Sequence, residues 1–171
     1  MNVLEHLEPK SVFRFFEEMC AIPHGSRNTK AVSDWCADFA RARGLEYHQD
    51  GDNNIIIIKE AAPGYEAAPP VILQGHLDMV CEQTADCQKD MSREGLDLAV
   101  DGDFVYAKGT TLGGDDGIAV AMALALLDAE GLPHPRLEAV FTVDEEIGLL
   151  GAASIDVTPL KGRQMLNLDS E

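Results

Sequence analysis

Four separate segments of this chain carry histidine and carboxylate side chains whose types suit a divalent metal site. They are His76 with Asp78 two residues later, Asp115 with Asp116, the run Asp144-Glu145-Glu146, and Asp169. One histidine with several carboxylates and no cysteine is typical of catalytic metal sites, because structural zinc usually takes closed, cysteine-rich shells. The chemistry that this set favours is metal-assisted activation of water.

The excess of carboxylates over imidazoles fits two nearby divalent ions that are bridged by one carboxylate and hold a water or hydroxide between them. The adjacent Glu145 and Glu146 then need different roles. One should be a metal ligand, and the other should stay free as the general base that takes the proton of the water. An aspartate two residues after a histidine, as at Asp78, can hold the imidazole in one tautomer.

Three of these segments follow apolar runs that read as buried strands: Val71 to Gly75, Leu137 to Val143 and Met165 to Leu168. If these strands are parallel neighbours, their polar ends converge at one edge of the sheet, where open α/β sheets bind ligands. Taken alone, His76 and Asp78 are more typical of a turn histidine with a capping aspartate. The joint placement of the segments argues against that interpretation and against simple surface charge.

The fourth segment belongs to a glycine-rich loop, residues 109–117, that opens onto an apolar helix predicted over Ile118 to Ala129. Such a loop suggests phosphate binding at a helix N-terminus. Two carboxylates occupy the place of the anion, however, and the GK[ST] ending is missing. The loop is better suited to bring Asp115 or Asp116 close to a cation, with glycines that permit unusual backbone angles.

Periodicity and turn signals predict the remaining elements. These are an amphipathic helix over Ser11 to Cys20, a second helix from Asn28 or Thr29 to a stop at Gly44, a strand over Leu45 to Gln49, a strand buried on both faces over Ile55 to Ile58, a hairpin turning at Asp101-Gly102, and a short helix or turn over Gly148 to Ser154. His24, beside Pro and Gly, is interpreted as a turn residue and is left outside the site.

Composition limits the classes of function. A length of 171 residues with 46% hydrophobic content indicates one domain with a core, and a formal net charge of −17 argues against binding to nucleic acid or anionic membranes. The N-terminus lacks an apolar stretch of secretory length, and no apolar run approaches a membrane span. Four cysteines without C-x-x-C spacing indicate reduced thiols and a cytoplasmic protein, although a loop disulfide between Cys81 and Cys87 stays open.

The site segments resemble the signature blocks of the co-catalytic zinc exopeptidases that include carboxypeptidase G, aminoacylase and cytosolic dipeptidases. The matching blocks are His76-x-Asp78, Gly113-Gly114-Asp115-Asp116-Gly117, Asp144-Glu145-Glu146 and Asn167-Leu168-Asp169. The resemblance extends over the whole chain. It implies an α/β fold, a three-layer αβα catalytic domain with a mostly parallel central sheet, and hydrolysis of unsubstituted dipeptides, Xaa-His among them.

The resemblance also implies the cofactor and the role of each residue. Zn²⁺ is the expected metal, two per complete site, with Co²⁺ or Mn²⁺ as alternatives. His76, Asp115 and Asp169 would hold one ion, and Asp115 would bridge to a second that Glu146 also binds. Asp78 would orient His76, and Glu145 would be the general base and later the proton donor to the leaving amine.

In the family, the second metal takes another histidine from near the far C-terminus, and a lid domain supplies dimer and substrate contacts. Neither is found in these residues, so we expect residues 1–171 to be the N-terminal part of the catalytic domain of a homodimeric enzyme. By itself this part should be a poor catalyst that binds at most one metal well. Two alternatives remain: an N-acyl amino acid deacylase of the same superfamily, and a non-catalytic metal-binding domain.

Overall fold

The computed structural model describes residues 2–169. Its elements are, in chain order, α1 (Lys10–Cys20), α2 (Lys30–Ala42), β1 (Glu46–Gln49), β2 (Ile55–Lys59), β3 (Val71–His76), β4 (Leu98–Asp101), β5 (Phe104–Ala107), α3 (Gly114–Asp128), β6 (Leu137–Thr142), α4 (Leu150–Ser154) and β7 (Gln164–Asn167). The α/β class expected from the alternating patterns is confirmed. Within the described residues, no helix is both long and apolar enough to cross a membrane.

Five strands form one sheet in the order β1-β2-β6-β3-β7. β3 pairs in parallel with both β6 and β7, whereas β2 pairs antiparallel with β1 and with β6. The sheet is therefore mixed, and the expectation of a mostly parallel sheet holds only for the three strands that precede the site segments. In this register His76 lies beside Thr142 and Gln74 beside Asn167, so the carboxyl ends of these three strands share one edge.

The main core lies between the sheet and a layer formed by α1, α2 and α3. All four isoleucines of β2 are buried: Ile55 and Ile57 belong to the helix-side core, and Ile56 and Ile58 to a smaller cluster on the other face. The predicted strand with two covered faces is confirmed. The second face is covered only thinly, by a segment that includes Ile155 and Leu160. In the described part of the chain, the third layer of the expected αβα arrangement is thus incomplete.

The start of α3 lies close to β3 because glycines allow a close approach there. A Cβ atom on Gly75 would lie 2.9 Å from Asp116 Oδ2 and 3.4 Å from Val120 Cγ2. Gly113, which precedes the helix, has a φ of 67°, in the left-handed region that favours glycine. Asp115 and Asp116 have non-helical backbone angles at the start of α3. These features bring both aspartates beside the end of β3.

The smaller elements also follow their sequence signals. β4 and β5 form the predicted antiparallel hairpin, with Gly102 at a φ of 56° in the turn. The residues from Gly148 to Ser154 contain the short helix α4. All four cysteines are free thiols, and burial raises the pKa of Cys20 to about 12.

Candidate metal centre

His76 ends β3 as a buried side chain with both ring nitrogens near oxygen atoms. Its Nδ1 lies 2.9 Å from the Asp78 carbonyl oxygen and 3.5 Å from Asp78 Oδ1. Its Nε2 lies 3.1 Å from Asp115 Oδ1 and 3.9 Å from Glu145 Oε2. Because the carbonyl oxygen can only accept, Nδ1 is the protonated nitrogen of the neutral ring. Nε2 then carries the lone pair and faces the carboxylates of Asp115 and Glu145.

Three side chains bring potential ligand atoms together. His76, Asp115 and Glu146 each offer one atom, and these atoms all lie within 4.8 Å of one another. The three come from the end of β3, the start of α3 and the turn after β6. Small side-chain rotations would bring such atoms to the distances of about 2.0–2.2 Å at which nitrogen and oxygen ligands hold zinc. The donor set, one imidazole with carboxylates, therefore fits a divalent ion.

Asp169 follows β7 at the same edge but is not a member of this three-residue group. The β3–β7 pairing ends with Gln74 opposite Asn167, and Asp169 follows two residues after the strand. Its charge contributes to raising the pKa of both Asp116 and Glu145. The structure thus brings His76, Asp115 and Glu146 together and leaves Asp169 outside that group.

Asp78 is fully buried and connects the two sides of the site. Its Oδ1 accepts a hydrogen bond from the backbone N–H of Glu145 at 3.0 Å, and its Oδ2 accepts one from Glu146 N–H at 3.4 Å. Ser26 Oγ donates to Oδ2 at 2.8 Å. Burial alone would raise the pKa of Asp78, but His76 and these donors outweigh burial and lower it. One carboxylate thus contacts the histidine and holds the turn that carries both glutamates.

The cluster of charges shifts several pKa values. Burial lowers the pKa of His76, but the Asp78, Asp116 and Asp115 carboxylates outweigh burial and raise it to about 9. Burial raises the pKa of Glu145 and of Glu146, and neighbouring carboxylates add to the rise, while His76 opposes it. The imidazolium is thus the counter-ion of this acidic cluster when no metal ion is bound, so a metal ion must displace its proton.

Asp116 has a supporting position that separates it from Asp115. Its side chain is buried, and Oδ2 accepts a hydrogen bond from the backbone N–H of His76 at 3.2 Å. Burial raises its pKa to about 7, with Asp169 and Asp115 adding to the rise against the lowering effect of His76. Of the two aspartates that the sequence left open, Asp115 is therefore the one whose carboxylate faces the histidine ring nitrogen.

Sequence reasoning missed three residues that hold the turn after β6. Asn54 Oδ1 accepts the backbone N–H of Val143 at 3.1 Å, and the N–H of Arg27 donates to Asp144 Oδ1 at 2.6 Å. Ser26, as described above, is bonded to Asp78. These contacts join segments separated by 52 to 117 positions, so no local pattern could have indicated them. His24 is buried with Nδ1 at 2.6 Å from the Ile22 carbonyl oxygen, outside the ligand group.

Comparison with known proteins gives one family and several relatives. Residues 72–164, more than half of the chain, match the model of Peptidase family M20/M25/M40. The chain is 37% identical over 171 residues to the cytosol non-specific dipeptidase of Escherichia coli (strain K12), covering 100% of this chain and 35% of that protein. It is 35% identical over 173 residues to the uncharacterized protein YqjE of Bacillus subtilis (strain 168), covering 92% of this chain and 43% of YqjE.

Solved structures agree with this assignment. The aminoacylhistidine dipeptidase of Vibrio alginolyticus superposes with a TM-score of 0.94 at 38% identity, over 98% of this chain and 34% of that chain. A tripeptidase from Staphylococcus aureus superposes with a TM-score of 0.78 over 94% of this chain and 43% of its own, and its 22% identity supports the fold alone. The chain thus spans little more than a third of the length of the E. coli and Vibrio proteins.

Proposed function

Because the chain belongs to Peptidase family M20/M25/M40, we propose that the natural-length protein carrying it is a metal-dependent dipeptidase. The reaction is hydrolysis of unsubstituted dipeptides, Xaa-His among them. The observation that carries the proposal is the convergence of His76, Asp115 and Glu146 at one sheet edge, with Glu145 beside the histidine ring. The names of the E. coli and Vibrio relatives support the dipeptide substrate class.

The residues present fit a divalent ion. For the natural-length protein we propose a pair of zinc ions, with Co²⁺ or Mn²⁺ as alternatives. His76, Asp115 and Asp169 would hold one ion, and Asp115 would bridge to a second that Glu146 binds. Bound ions polarise the scissile carbonyl and lower the pKa of a water molecule. Asp169, which follows β7 outside the three-residue group, would complete the first site when an ion is present.

Asp78 prepares His76 for this role. The Asp78 carbonyl and carboxylate oxygens occupy the Nδ1 side of the ring, which leaves Nε2 as the only nitrogen free for a metal. Such an arrangement fixes the tautomer and the orientation of a histidine ligand. In our proposal Asp78 contacts no substrate and acts through His76 and through the turn of the two glutamates.

Glu145 has the position and the acidity of a general base. Its carboxylate reaches within 3.9 Å of His76 Nε2, so it faces the space between the proposed ligands. Its raised pKa makes the carboxylate a better proton acceptor than an exposed glutamate. It would accept the proton of the attacking water and donate it to the leaving amine. The backbone N–H of Glu145 donates a hydrogen bond to Asp78, so the main chain that carries the Glu145 side chain is held in position.

Location and assembly belong to the same proposal. We propose a cytoplasmic protein, because the E. coli relative is named a cytosol dipeptidase. We also propose a homodimer, an expectation from the family resemblance for which gel filtration of the natural-length protein is the measurement.

The test of the function is a substrate comparison with the natural-length protein. We expect hydrolysis of Gly-Leu and Ala-His that a chelator abolishes and added zinc restores, and negligible cleavage of N-acetyl amino acids. Glu145→Gln should retain the metal and lose about 10³-fold or more in kcat, as expected for removal of an essential proton acceptor. Preference for N-acetyl amino acids would instead identify a deacylase of the same superfamily, and activity that survives chelation would contradict the metal mechanism.

A further inference from the structure

A cavity of about 450 Å³ opens beside the proposed metal ligand Glu146. Its walls come from the loop between α1 and α2, from the chain that follows β3, and from the turn after β6. The first two walls are fixed to each other, because Gly25 pairs with Met79 in a β-bridge and Met79 N–H donates to the His24 carbonyl oxygen at 3.2 Å. The cavity is therefore built from the same segments that position the candidate metal centre.

Four large apolar side chains line this cavity. Met79 and Met91 form its buried part, with 2% and 9% of their surfaces exposed. Val80 and Ile147 line it as well, with 45% and 39% exposed. A ligand that covered Val80 and Ile147 would remove apolar surface from water, which favours an apolar group. Methionine side chains adapt their shape, so the buried part can accept side chains of different outline.

The charges that line the cavity have one sign. Among the described lining residues, Glu82 and Glu146 are the charged side chains, and lysine, arginine and histidine do not occur. The rest of the polar lining is neutral, from Ser26, Asn28 and Ser92. An aspartate or glutamate side chain placed here would be repelled by the Glu82 carboxylate, which has no cation among the lining residues, whereas the charge of Glu146 would be compensated by the proposed metal ion. The cavity thus disfavours acidic groups.

We propose that this cavity binds the side chain of one residue of the dipeptide and selects apolar over acidic side chains. The inference rests on the proposed dipeptidase function, because a scissile carbonyl at the cluster of His76, Asp115 and Glu146 places a substrate side chain within reach of the cavity. The ligand is a flexible apolar side chain of the leucine or methionine type. Glu82, which stands in the lining without a place in the metal group, is the residue that sets the discrimination against acidic dipeptides.

The test uses the natural-length, zinc-loaded protein and two substrate series, each with one glycine: Leu-Gly with Glu-Gly, and Gly-Leu with Gly-Glu. The cavity binds the side chain of one residue of the dipeptide, so only one of the two series places its variable side chain there. In that series the kcat/KM for the leucine substrate should exceed that for the glutamate substrate by about tenfold or more, the effect of burying one aliphatic side chain. Glu82→Lys should reduce this ratio about fivefold or more in that series, because it replaces the repulsion by an attraction. Val80→Trp should fill the cavity. In this variant the kcat/KM for the leucine substrate should therefore fall about tenfold relative to the kcat/KM for Gly-Gly.

Glu18→Lys is the matched control, since Glu18 is an exposed residue of α1 that does not line the cavity and receives the same charge change. Its ratios should equal those of the wild type. Equal rates for leucine and glutamate substrates in both series, or the same ratio shift in Glu82→Lys and Glu18→Lys, would overturn the cavity assignment while dipeptide hydrolysis itself remained intact. A wild-type protein that hydrolyses none of these dipeptides would overturn the proposed function and this inference with it.

Discussion

Replacing Asp78 by alanine tests whether this residue positions the site rather than binding the metal. The substitution removes the acceptor of three hydrogen bonds, from Ser26 Oγ and from the backbone N–H groups of Glu145 and Glu146. It also removes the carboxylate that lies 3.5 Å from His76 Nδ1. The Asp78 carbonyl oxygen at 2.9 Å from Nδ1 is main chain and remains. His76 Nδ1 therefore keeps the Asp78 carbonyl oxygen and loses only the carboxylate. The backbone N–H groups of Glu145 and Glu146 lose the carboxylate that accepts their hydrogen bonds.

The expected change in the free energy of unfolding follows from the number and the lengths of these hydrogen bonds. A hydrogen bond to a charged group contributes about 1.5–3 kcal/mol. Two of the three bonds have ordinary lengths, 2.8 and 3.0 Å, and the third is longer at 3.4 Å. Water can replace part of the loss because Glu145 and Glu146 are half-exposed. We expect the free energy of unfolding to fall by about 2–4 kcal/mol, which is large for a single substitution.

The functional loss should exceed the loss of metal. Loss of a residue that orients a metal ligand weakens metal binding by about 10- to 100-fold. A shift of about 1 Å in the general base can lower the rate by about 10²-fold at saturating metal. Asp78→Ala should therefore bind zinc measurably and remain slow when zinc is saturating, whereas His76→Ala should lose zinc binding itself.

Zinc affinity by competition with a chromophoric chelator, kcat at saturating zinc, and thermal unfolding of the natural-length protein provide the three readouts. Ser26→Ala is the graded variant, since it removes one donor to Asp78 and leaves the carboxylate in place. Thr158→Val is the matched control, because Thr158 Oγ1 donates to Asp156 at the exposed surface, away from the cluster and the cavity. Equal loss of zinc in Asp78→Ala and His76→Ala would refute the positioning role and would make Asp78 a ligand.

Three further predictions concern pH and packing. The raised pKa of His76, about 9, means that protons compete with the metal, so zinc affinity measured by titration should weaken as the pH falls below that value. Burial raises the pKa of Glu138, but the hydrogen bonds from Arg136 and from the N–H groups of Gly162 and Lys161 outweigh burial and lower it from 4.5. The free energy of unfolding should therefore fall on acidification below that value, and Glu138→Gln should flatten this part of the profile. Gly75→Ala places a Cβ 2.9 Å from Asp116 Oδ2 and should destabilise the fold by about 1–3 kcal/mol, measured by denaturant unfolding.

The sequence predicted the parts of the molecule that depend on local pattern. Hydrophobic periodicity gave the amphipathic helix at Lys10–Cys20, and the four isoleucines gave a strand buried on both faces. The polar residues at the ends of β3 and β6 indicated the edge of the sheet at which the candidate site lies. This could be predicted because the sequence shows directly which residues come at the end of an apolar run. The glycine-rich loop indicated that Asp115 or Asp116 approaches the site, which follows from the backbone freedom of glycine.

The parts that sequence reasoning missed depend on tertiary contacts. The antiparallel insertion of β2 beside β6 has no local signal, since Ile55–Lys59 would be buried equally well in a parallel sheet. The same applies to Ser26 and Asn54, whose contacts with Asp78 and Val143 exist only in the folded chain. Glu138 lies within the run Leu137 to Val143 that was predicted as a buried strand, and its carboxylate is bonded to Arg136 and to the N–H groups of Lys161 and Gly162, contacts that no local pattern indicates.

The most direct test of the central claim is the zinc content of the natural-length protein, measured by mass spectrometry of the metal after dialysis against buffered zinc. The account predicts a pair of ions per chain in the wild type, fewer in the isolated 171 residues, and loss of tightly bound zinc in His76→Ala. Glu18→Lys, which changes a distant surface charge, should keep the wild-type content. Absence of bound metal from the wild type, or equal zinc content in the wild type and His76→Ala, would contradict the account.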